Sequence, residues 1–322
     1  MKIYSLLFVL FFISSCWDKK PEHLIDLEVL HLENIYITPP DSVNHTQLRS
    51  KYGGFWDIYR QYIVQLPVGE DFSDSLRAFQ NSIYYQEVYS EIQSKYKDFS
   101  SHEVELEQAF SIYHEHFPNH LIPSVITFFG AFNFPVAVTD STIGIGLEMF
   151  LGKNSEYYKA LQTKYPIYMH QRFQPENLTA MAVSAWLETE YPVSYQDFLT
   201  QMIHHGKLKY CQQILLPNTP DSILMGYNEK QIQWCEDNEY AIWKFLIDKG
   251  LLYSNDQTTI IKYLNPAPFS KGMPTESPGQ VAQWVGWQIV KEFMDKNSFT
   301  LEQLLSNNNA QFILQQSSYK PN

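Results

Sequence analysis

The sequence predicts an α+β fold, mainly helical with a small mixed sheet. Residues 44–116 and 156–296 carry apolar side chains at the three- and four-residue spacing that is typical of amphipathic helices. Between them, residues 123–150 form short β-branched and aromatic runs separated by Gly, Pro, Asn and Asp, as expected of strands. Helices, then strands, then helices is the order typical of an α+β domain.

The elements before residue 123 follow from the same patterns. Residues 27–36 interleave apolar side chains with polar ones, which predicts a first strand. The helices predicted next are 44–64, interrupted at Gly53-Gly54, then 73–96 and 101–116. Ser100 and Ser101 are the expected N-caps of the last of these helices, because acidic residues follow in its first turn.

The remaining elements complete one predicted domain. The strands are predicted at 123–130, 135–140 and 142–150. The later helices are predicted at 156–164, 176–187, 195–216, 228–250 and 277–296. No internal repeat or low-complexity linker divides the interior of the chain, so we expect a single domain over residues 29–322.

The N-terminus has the pattern of a bacterial lipoprotein signal. Lys2 supplies a positive charge, residues 6–13 are apolar, and two small serines precede Cys16. We therefore expect a signal peptide over residues 1–15 and a lipidated tether over 16–28, with acyl chains on Cys16 anchoring the protein to a membrane. The alternative is an ordinary cleaved signal that happens to end near Cys16.

The composition excludes several classes of partner. The chain has 322 residues, 44% hydrophobic, which is enough to bury a large core and excludes disorder for most of its length. Its net charge of -12 argues against nucleic acid as a partner. The same charge argues against binding to anionic lipid by electrostatics, which leaves the acyl chains as the expected membrane contact.

Cys211 and Cys235 are the cysteines that remain once Cys16 is assigned to the lipid. An exported protein sits where disulfides persist, so these two cysteines could form one. Two buried free thiols are an equal alternative, because spacing alone does not show that their Cβ atoms meet.

Ten histidines in an exported chain call for a search for zinc ligands. A zincin-type helix needs two histidines four residues apart on one face with a glutamate beside the first, and no such helix occurs. His116 and His120 have the spacing, but Pro118 lies between them and breaks a regular helix. His204 and His205 are adjacent, about 100° apart on a helix, and cannot bind one ion from one face. No serine or cysteine nucleophile lies in a recognisable motif.

The most distinctive segment is 265–293, which begins with a proline-rich loop. Ser277 is expected to cap a helix that Pro278 opens. The helix is very apolar, and Gly286 would let another backbone come close. A central core helix is favoured over a ligand-binding aromatic face.

The chain resembles the GldB-type gliding-motility lipoproteins of the Bacteroidetes over nearly the whole mature sequence. The landmarks are PSVITFF at 123–129, LEMFLGKNSEYY at 147–158, FLTQMIHHGKLKY at 198–210, YNEKQIQWCEDNEYAIWKFLI at 227–247 and PAPFSKGMPTESPGQVAQWVGWQIV at 266–290. The last landmark holds the residues of the family motif, Glu276, Ser277, Pro278, Gly279, Trp284, Gly286 and Trp287. The resemblance implies a cell-envelope lipoprotein needed for gliding or the associated protein secretion, and it brings no agreed enzymatic activity.

The layout also resembles a degenerate zincin-type metallopeptidase, a zincin-like layout without the metal motif. The helix that would carry the metal corresponds to residues 178–190, which contain no histidine. His205 would lie before the glycine in the later helix, where such enzymes place an acid. The resemblance therefore implies a pseudoenzyme without catalytic zinc or another cofactor.

Three functions follow as expectations. The first is a non-catalytic envelope lipoprotein that binds other envelope proteins of the gliding or secretion apparatus, on either the inner or the outer membrane. The second is a zinc metallohydrolase with unorthodox ligands taken from His204, His205 and Glu188, together with Glu190. The third is an envelope protein that binds a small ligand in a cleft between sheet and helices.

Overall fold

The predicted sheet is present in the computed structural model, which describes residues 21, 23–67, 71–193 and 197–321. Its strands are β1 (Val29–His31), β2 (Ser124–Phe128), β3 (Val136–Val138) and β4 (Thr142–Gly146). They lie in the order β1-β2-β4-β3, with β1, β2 and β4 parallel and β3 antiparallel to β4. The sheet is mixed, and the predicted α+β class is confirmed. The signal peptide and Cys16 lie outside the described residues.

The first strand is shorter than predicted. Residues 32–37 form a 3-10 helix instead of continuing β1. The reason is visible in the spacing of Leu32, Ile35 and Tyr36, which are all buried and which a helical turn places on one side of the chain.

Helices precede and follow this sheet. In the N-terminal half they are α1 (His45–Tyr52), α2 (Phe55–Ile58), α3 (Asp71–Asn81), α4 (Ile83–Lys95) and α5 (Ser100–His116). In the C-terminal half they are α6 (Leu178–Glu190), α7 (Phe198–Leu215), α8 (Asp221–Met225), α9 (Glu229–Asp237), α10 (Glu239–Asp248), α11 (Gln257–Leu264), α12 (Val281–Lys296), α13 (Leu301–Ser306) and α14 (Ala310–Ser317). No helix in these described parts is long and apolar enough to cross a membrane.

Several predicted helix boundaries are confirmed and others are wrong. The interruption at Gly53-Gly54 is confirmed, and Gly53 has a φ of 58° that favours glycine. The predicted helix 73–96 is two helices, because Ser82 ends the first and caps the second by accepting a hydrogen bond from Tyr85 N–H. Ser100 and Ser101 do not cap α5: the Asp98 carboxylate accepts from the Ser100 N–H instead.

Two of the later helices also differ from their predictions. The segment 156–164 contains a 3-10 helix, Glu156–Leu161, rather than an α-helix. The predicted helix 228–250 is divided into α9 and α10 at Asn238, whose side chain donates to the carbonyl of Trp234. Local hydrogen bonding by such a side chain competes with the regular helical ladder.

The two faces of the sheet support two apolar clusters. Val125 and Ile143 pack into the larger cluster, formed mainly by α4 to α7 and the C-terminal helices. Ile126 and Phe128 point the other way, into a smaller cluster with Phe55 and its neighbours. Alternate residues of a strand point to opposite faces, so this sheet is covered on both sides.

The centre of the larger cluster is the crossing of α7 and α12. A Cβ added at Gly206 would lie within 3.0 Å of the backbone of Gly286, and one added at Gly286 would lie within 3.0 Å of the Met202 carbonyl. The two backbones therefore meet directly, as predicted for Gly286. The buried side chains of α12 lie on several sides of the helix, including Trp284, Trp287 and Phe293, as expected of a central core helix.

Helix α12 begins later than predicted. Ser277 does not cap it, because its hydroxyl donates to the Pro274 carbonyl and accepts from the Ser270 N–H within the preceding loop. A Cβ at Gly279 would lie within 3.0 Å of the Ala267 backbone, so the loop packs too closely for a helix to start there. Gln280, at a φ of 61°, reverses the chain, and regular helix starts at Val281.

Candidate functional site

The side chains considered as unorthodox zinc ligands do not converge. His204 lines a cavity of about 500 Å³ together with Glu190 and Lys207. Glu188 lies on a different cleft, against Lys209. Within the described ranges, no three His, Cys, Asp or Glu side chains lie close enough to hold a metal ion.

Both histidines are poor ligands for a further reason. Burial lowers the pKa of His204 to about 4, helped by the neighbouring charges of His205 and Lys207. Burial also lowers the pKa of His205 to about 4, with the charge of Lys209 as the second cause. Each imidazole is therefore neutral at pH 7, but each stands beside a lysine whose positive charge opposes a bound cation.

Cys211 and Cys235 are both buried and both free. Of the two alternatives drawn from the sequence, the structure has the unpaired thiols. Burial raises the pKa of both thiols, so neither is a reactive thiolate at neutral pH.

The cleft that contains Glu188 has a polar lining with two cationic side chains, and we call it the basic cleft. It has a volume of about 90 Å³ and lies between α6, α7, the end of α8 and the start of α12. The polar side chains that line it include Arg172, Ser184, Glu188, Lys209, Gln212, Gln280 and Gln283. Its α6 wall includes Ala180, Ser184 and Glu188, which are four residues apart and therefore share one face, and Met181 beside them.

Lys209 reaches into the basic cleft from α7. Its ammonium donates to the carbonyl of Leu224 at 2.7 Å and to the side-chain oxygen of Gln212 at 2.9 Å. Burial lowers the pKa of Lys209 to about 8, the negative charge of Glu188 opposes this shift, and the positive charge of Arg172 adds to it. At pH 7 the ammonium is therefore still charged but poorly solvated.

Arg172 reaches the same cleft from the 3-10 helix Ile167–Arg172. One of its nitrogens donates to the carbonyl of Met225 at 3.2 Å. Gly226 makes room for the guanidinium, since a Cβ there would lie 2.6 Å from Arg172 Nε. Burial lowers the pKa of Arg172, but the group stays charged at any ordinary pH.

Three glutamines hold the walls of the basic cleft in place. The side-chain amide of Gln212 donates to the carbonyl of Ala180 at 2.7 Å, and that of Gln280 to the carbonyl of Met225 at 3.3 Å. The amide of Gln283 donates to the carbonyl of Leu264 at 2.6 Å. These bonds join α7 to α6, and α12 to α8 and α11.

The charges of the basic cleft decide what it can bind. Two cations face one carboxylate, Glu188, which is exposed at the rim and accepts a hydrogen bond from Ser184. Neither Arg172 nor Lys209 forms an ion pair within 4.0 Å in the part of the chain that the structure describes. Two unpaired cations side by side attract an anion and repel a metal ion.

The family motif builds one wall of this cleft and the core behind it. Ser277, Pro278 and Gly279 are buried in the loop that delivers Gln280, whereas Glu276 is exposed. Trp284, Gly286 and Trp287 are core residues of α12, and Lys291 Nζ lies 3.8 Å from the ring centroid of Trp287. The motif residues therefore position the site rather than forming its polar lining.

Sequence reasoning missed Arg172, Lys209 and Gln280. Lys209 lies in one of the matching landmarks, but a lysine on a helix is usually a solvated residue and gave no signal. Its spacing of four from His205 was the available hint, because residues four apart on a helix share a face.

A model of the family described as gliding motility protein GldB matches residues 17–321. No curated protein and no solved structure is similar enough to match. The matched range covers almost the entire chain and includes every element that lines the basic cleft. The chain therefore belongs to the GldB family of gliding motility lipoproteins.

Proposed function

We propose that this protein is a non-catalytic binding protein of the cell envelope, held to a membrane by acyl chains on Cys16. It would bind another component of the gliding or associated secretion machinery, and the basic cleft would be the surface that recognises it. The observation that carries this proposal is the pair of cations, Arg172 and Lys209, which share one cleft without a carboxylate within 4.0 Å in the described part of the chain.

The lining of the cleft favours binding over catalysis. Hydrolysis needs a nucleophile or an activated water beside a general base. The hydroxyl of Ser184 donates to Glu188 on the exposed face of α6, and no histidine lines the cleft with them. The polar groups present instead are donors and amides on packed helices, which suit the recognition of a charged group.

The envelope location rests on the sequence. The lipoprotein pattern that ends at Cys16 directs the chain out of the cytoplasm, and the family is one of gliding motility proteins. A net charge of -12 argues against nucleic acid, and a cleft of about 90 Å³ has room for a small charged group of a larger partner.

Photo-crosslinking in living cells tests this function. A photoreactive residue in place of Met181, which lines the basic cleft, is expected to form an adduct with one envelope component. The adduct should disappear in the Arg172→Met background, because the partner's charged group loses its guanidinium contact. The same residue in place of Ile83, which is 73% exposed and lies on α4 away from the cleft, is the matched control.

Two results would contradict the proposal. One is a Met181 adduct that forms equally well with Arg172→Met. The other is the same set of adducts from Met181 and from Ile83, which would show contact without recognition by the cleft.

A further inference from the structure

We propose that the basic cleft is a binding site for a single phosphate group, held between Arg172 and Lys209. The inference rests on the proposed function in one respect only: it takes the basic cleft to be the recognition surface. It adds the chemical class of the ligand, which neither the family nor the location in the envelope supplies.

The charges of Arg172 and Lys209 favour an anionic ligand. Lys291, another cation near the C-terminal helices, pairs with Asp221 at 3.2 Å. Arg172 and Lys209 each satisfy a carbonyl near the end of α8, but their charges are not neutralised by a carboxylate within 4.0 Å in the described ranges. A dianionic phosphate would neutralise both.

Arg172 and Lys209 also have hydrogen-bond donors to spare. A guanidinium has five N–H groups, and among the described residues Arg172 donates to one acceptor, the carbonyl of Met225. An ammonium has three, and Lys209 uses two of them. Both residues line the same cleft, and a phosphate has enough oxygens to accept from both groups, including a bidentate pair from the guanidinium.

The volume of the basic cleft suits a phosphate group. The cleft volume of about 90 Å³ is several times the roughly 10–15 Å³ of such volume that one water molecule needs. The cleft therefore has room for a tetrahedral oxyanion, and the rest of a larger ligand would lie toward its mouth, beside Glu188 and Ser184.

The walls of the basic cleft are held in place by hydrogen bonds. The Gln212, Gln280 and Gln283 amides are tied to backbone carbonyls of neighbouring elements, so the walls are fixed before a ligand arrives. Gly226 leaves the space that Arg172 occupies. A site that is ordered in advance loses less entropy on binding.

A substitution at Glu188 should change phosphate binding in the opposite direction from a substitution at Arg172 or Lys209. This carboxylate lines the same cleft and opposes an incoming anion. Removing the charges of Arg172 or Lys209 should therefore weaken phosphate binding, whereas removing the charge of Glu188 should strengthen it. A cleft whose polar groups have only structural roles would show neither effect.

The experiment is calorimetric titration of the full-length chain, purified in a non-ionic detergent, with inorganic phosphate at pH 7 and low salt. We expect saturable binding of one phosphate per chain. Arg172→Met and Lys209→Met should each weaken it by about tenfold or more, the loss typical of one charge-assisted hydrogen bond. Glu188→Gln should tighten it several-fold. Lys230→Met, which removes an exposed lysine outside the cleft, should leave it unchanged.

A second titration, with a short-chain phosphatidic acid below its micelle concentration, identifies the source of the phosphate. Tighter binding than inorganic phosphate indicates a lipid headgroup, and equal or weaker binding indicates a soluble phosphate; either result supports the site. Absence of saturable phosphate binding, or equal binding by Arg172→Met and Lys209→Met, would overturn the inference. A cleft-dependent adduct at Met181 in cells would then leave the proposed function standing with a ligand of different chemistry.

Discussion

Gly286→Val is expected to lower the free energy of unfolding by more than about 3 kcal/mol, or to prevent folding altogether. A Cβ at this position would lie within 3.0 Å of the carbonyl of Met202, and the opposing residue on α7, Gly206, already contacts the backbone of Gly286. Overpacked side chains can relax by changing rotamer, but two helix backbones in the middle of a core must move apart. The measurement is urea unfolding of the purified protein followed by circular dichroism.

Gly54→Ala is the matched control. Gly54 has a φ of -63° and a ψ of -20°, which any residue adopts, and a Cβ there meets nothing within 4 Å. Its free energy of unfolding should stay within about 0.5 kcal/mol of the wild-type value. Similar stability of Gly286→Val and Gly54→Ala would contradict the direct contact between α7 and α12.

Glu148→Gln is expected to remove a large pH dependence of stability. The Glu148 side chain is fully buried, and one carboxylate oxygen accepts from the N–H groups of Gly130 and Phe132, both at 2.9 Å. Burial raises the pKa of this carboxyl to about 7, the two backbone donors oppose the shift, and the negative charge of Glu33 adds to it. The folded protein therefore holds a proton here that the unfolded chain releases near pH 4.5.

The sign of the effect follows from this difference. Because the pKa is higher in the folded state, the stabilisation by this proton is fully present below pH 4.5 and is lost as the pH rises through 7. Between pH 5 and pH 8, the wild type should lose about 2.5 kcal/mol relative to Glu148→Gln. Urea unfolding of both proteins at pH 5 and at pH 8 measures this difference in the free energy of unfolding. Glu87→Gln, the same substitution at an exposed site on α4, is the control. Wild-type and Glu148→Gln curves that run parallel between pH 5 and pH 8 would contradict the buried proton.

The parts of the fold that the sequence predicted are those set by local patterns. The strands within 123–150 were predicted because Gly, Pro and Asn divide this segment into short apolar runs. The glycines Gly53-Gly54 interrupt the helix between α1 and α2, as predicted. The role of Gly286 was also visible, since a glycine inside a very apolar helix usually marks a close backbone approach.

Long-range packing set the parts that the sequence did not predict. Ser277 and Pro278 look like a helix start, but the contact of Gly279 with Ala267 delays the helix to Val281. The basic cleft depends on packing in the same way, because Arg172 and Lys209 meet only where Gly226 and the end of α8 bring them together. The sequence suggested His204 and Glu188 as zinc ligands, but the fold places them in separate cavities.

The central claim is that the basic cleft carries the protein's role in the envelope, and its most direct test is the restoration of gliding. The double variant Arg172→Met, Lys209→Met would be expressed in gliding cells that lack their own GldB protein, beside the wild type and Lys230→Met. Because the methionines cannot donate to the carbonyls of Leu224 and Met225, the membrane level of each variant is first matched to the wild type by immunoblot. We predict that the double variant fails to restore gliding while Lys230→Met succeeds. Full restoration by the double variant would contradict the account.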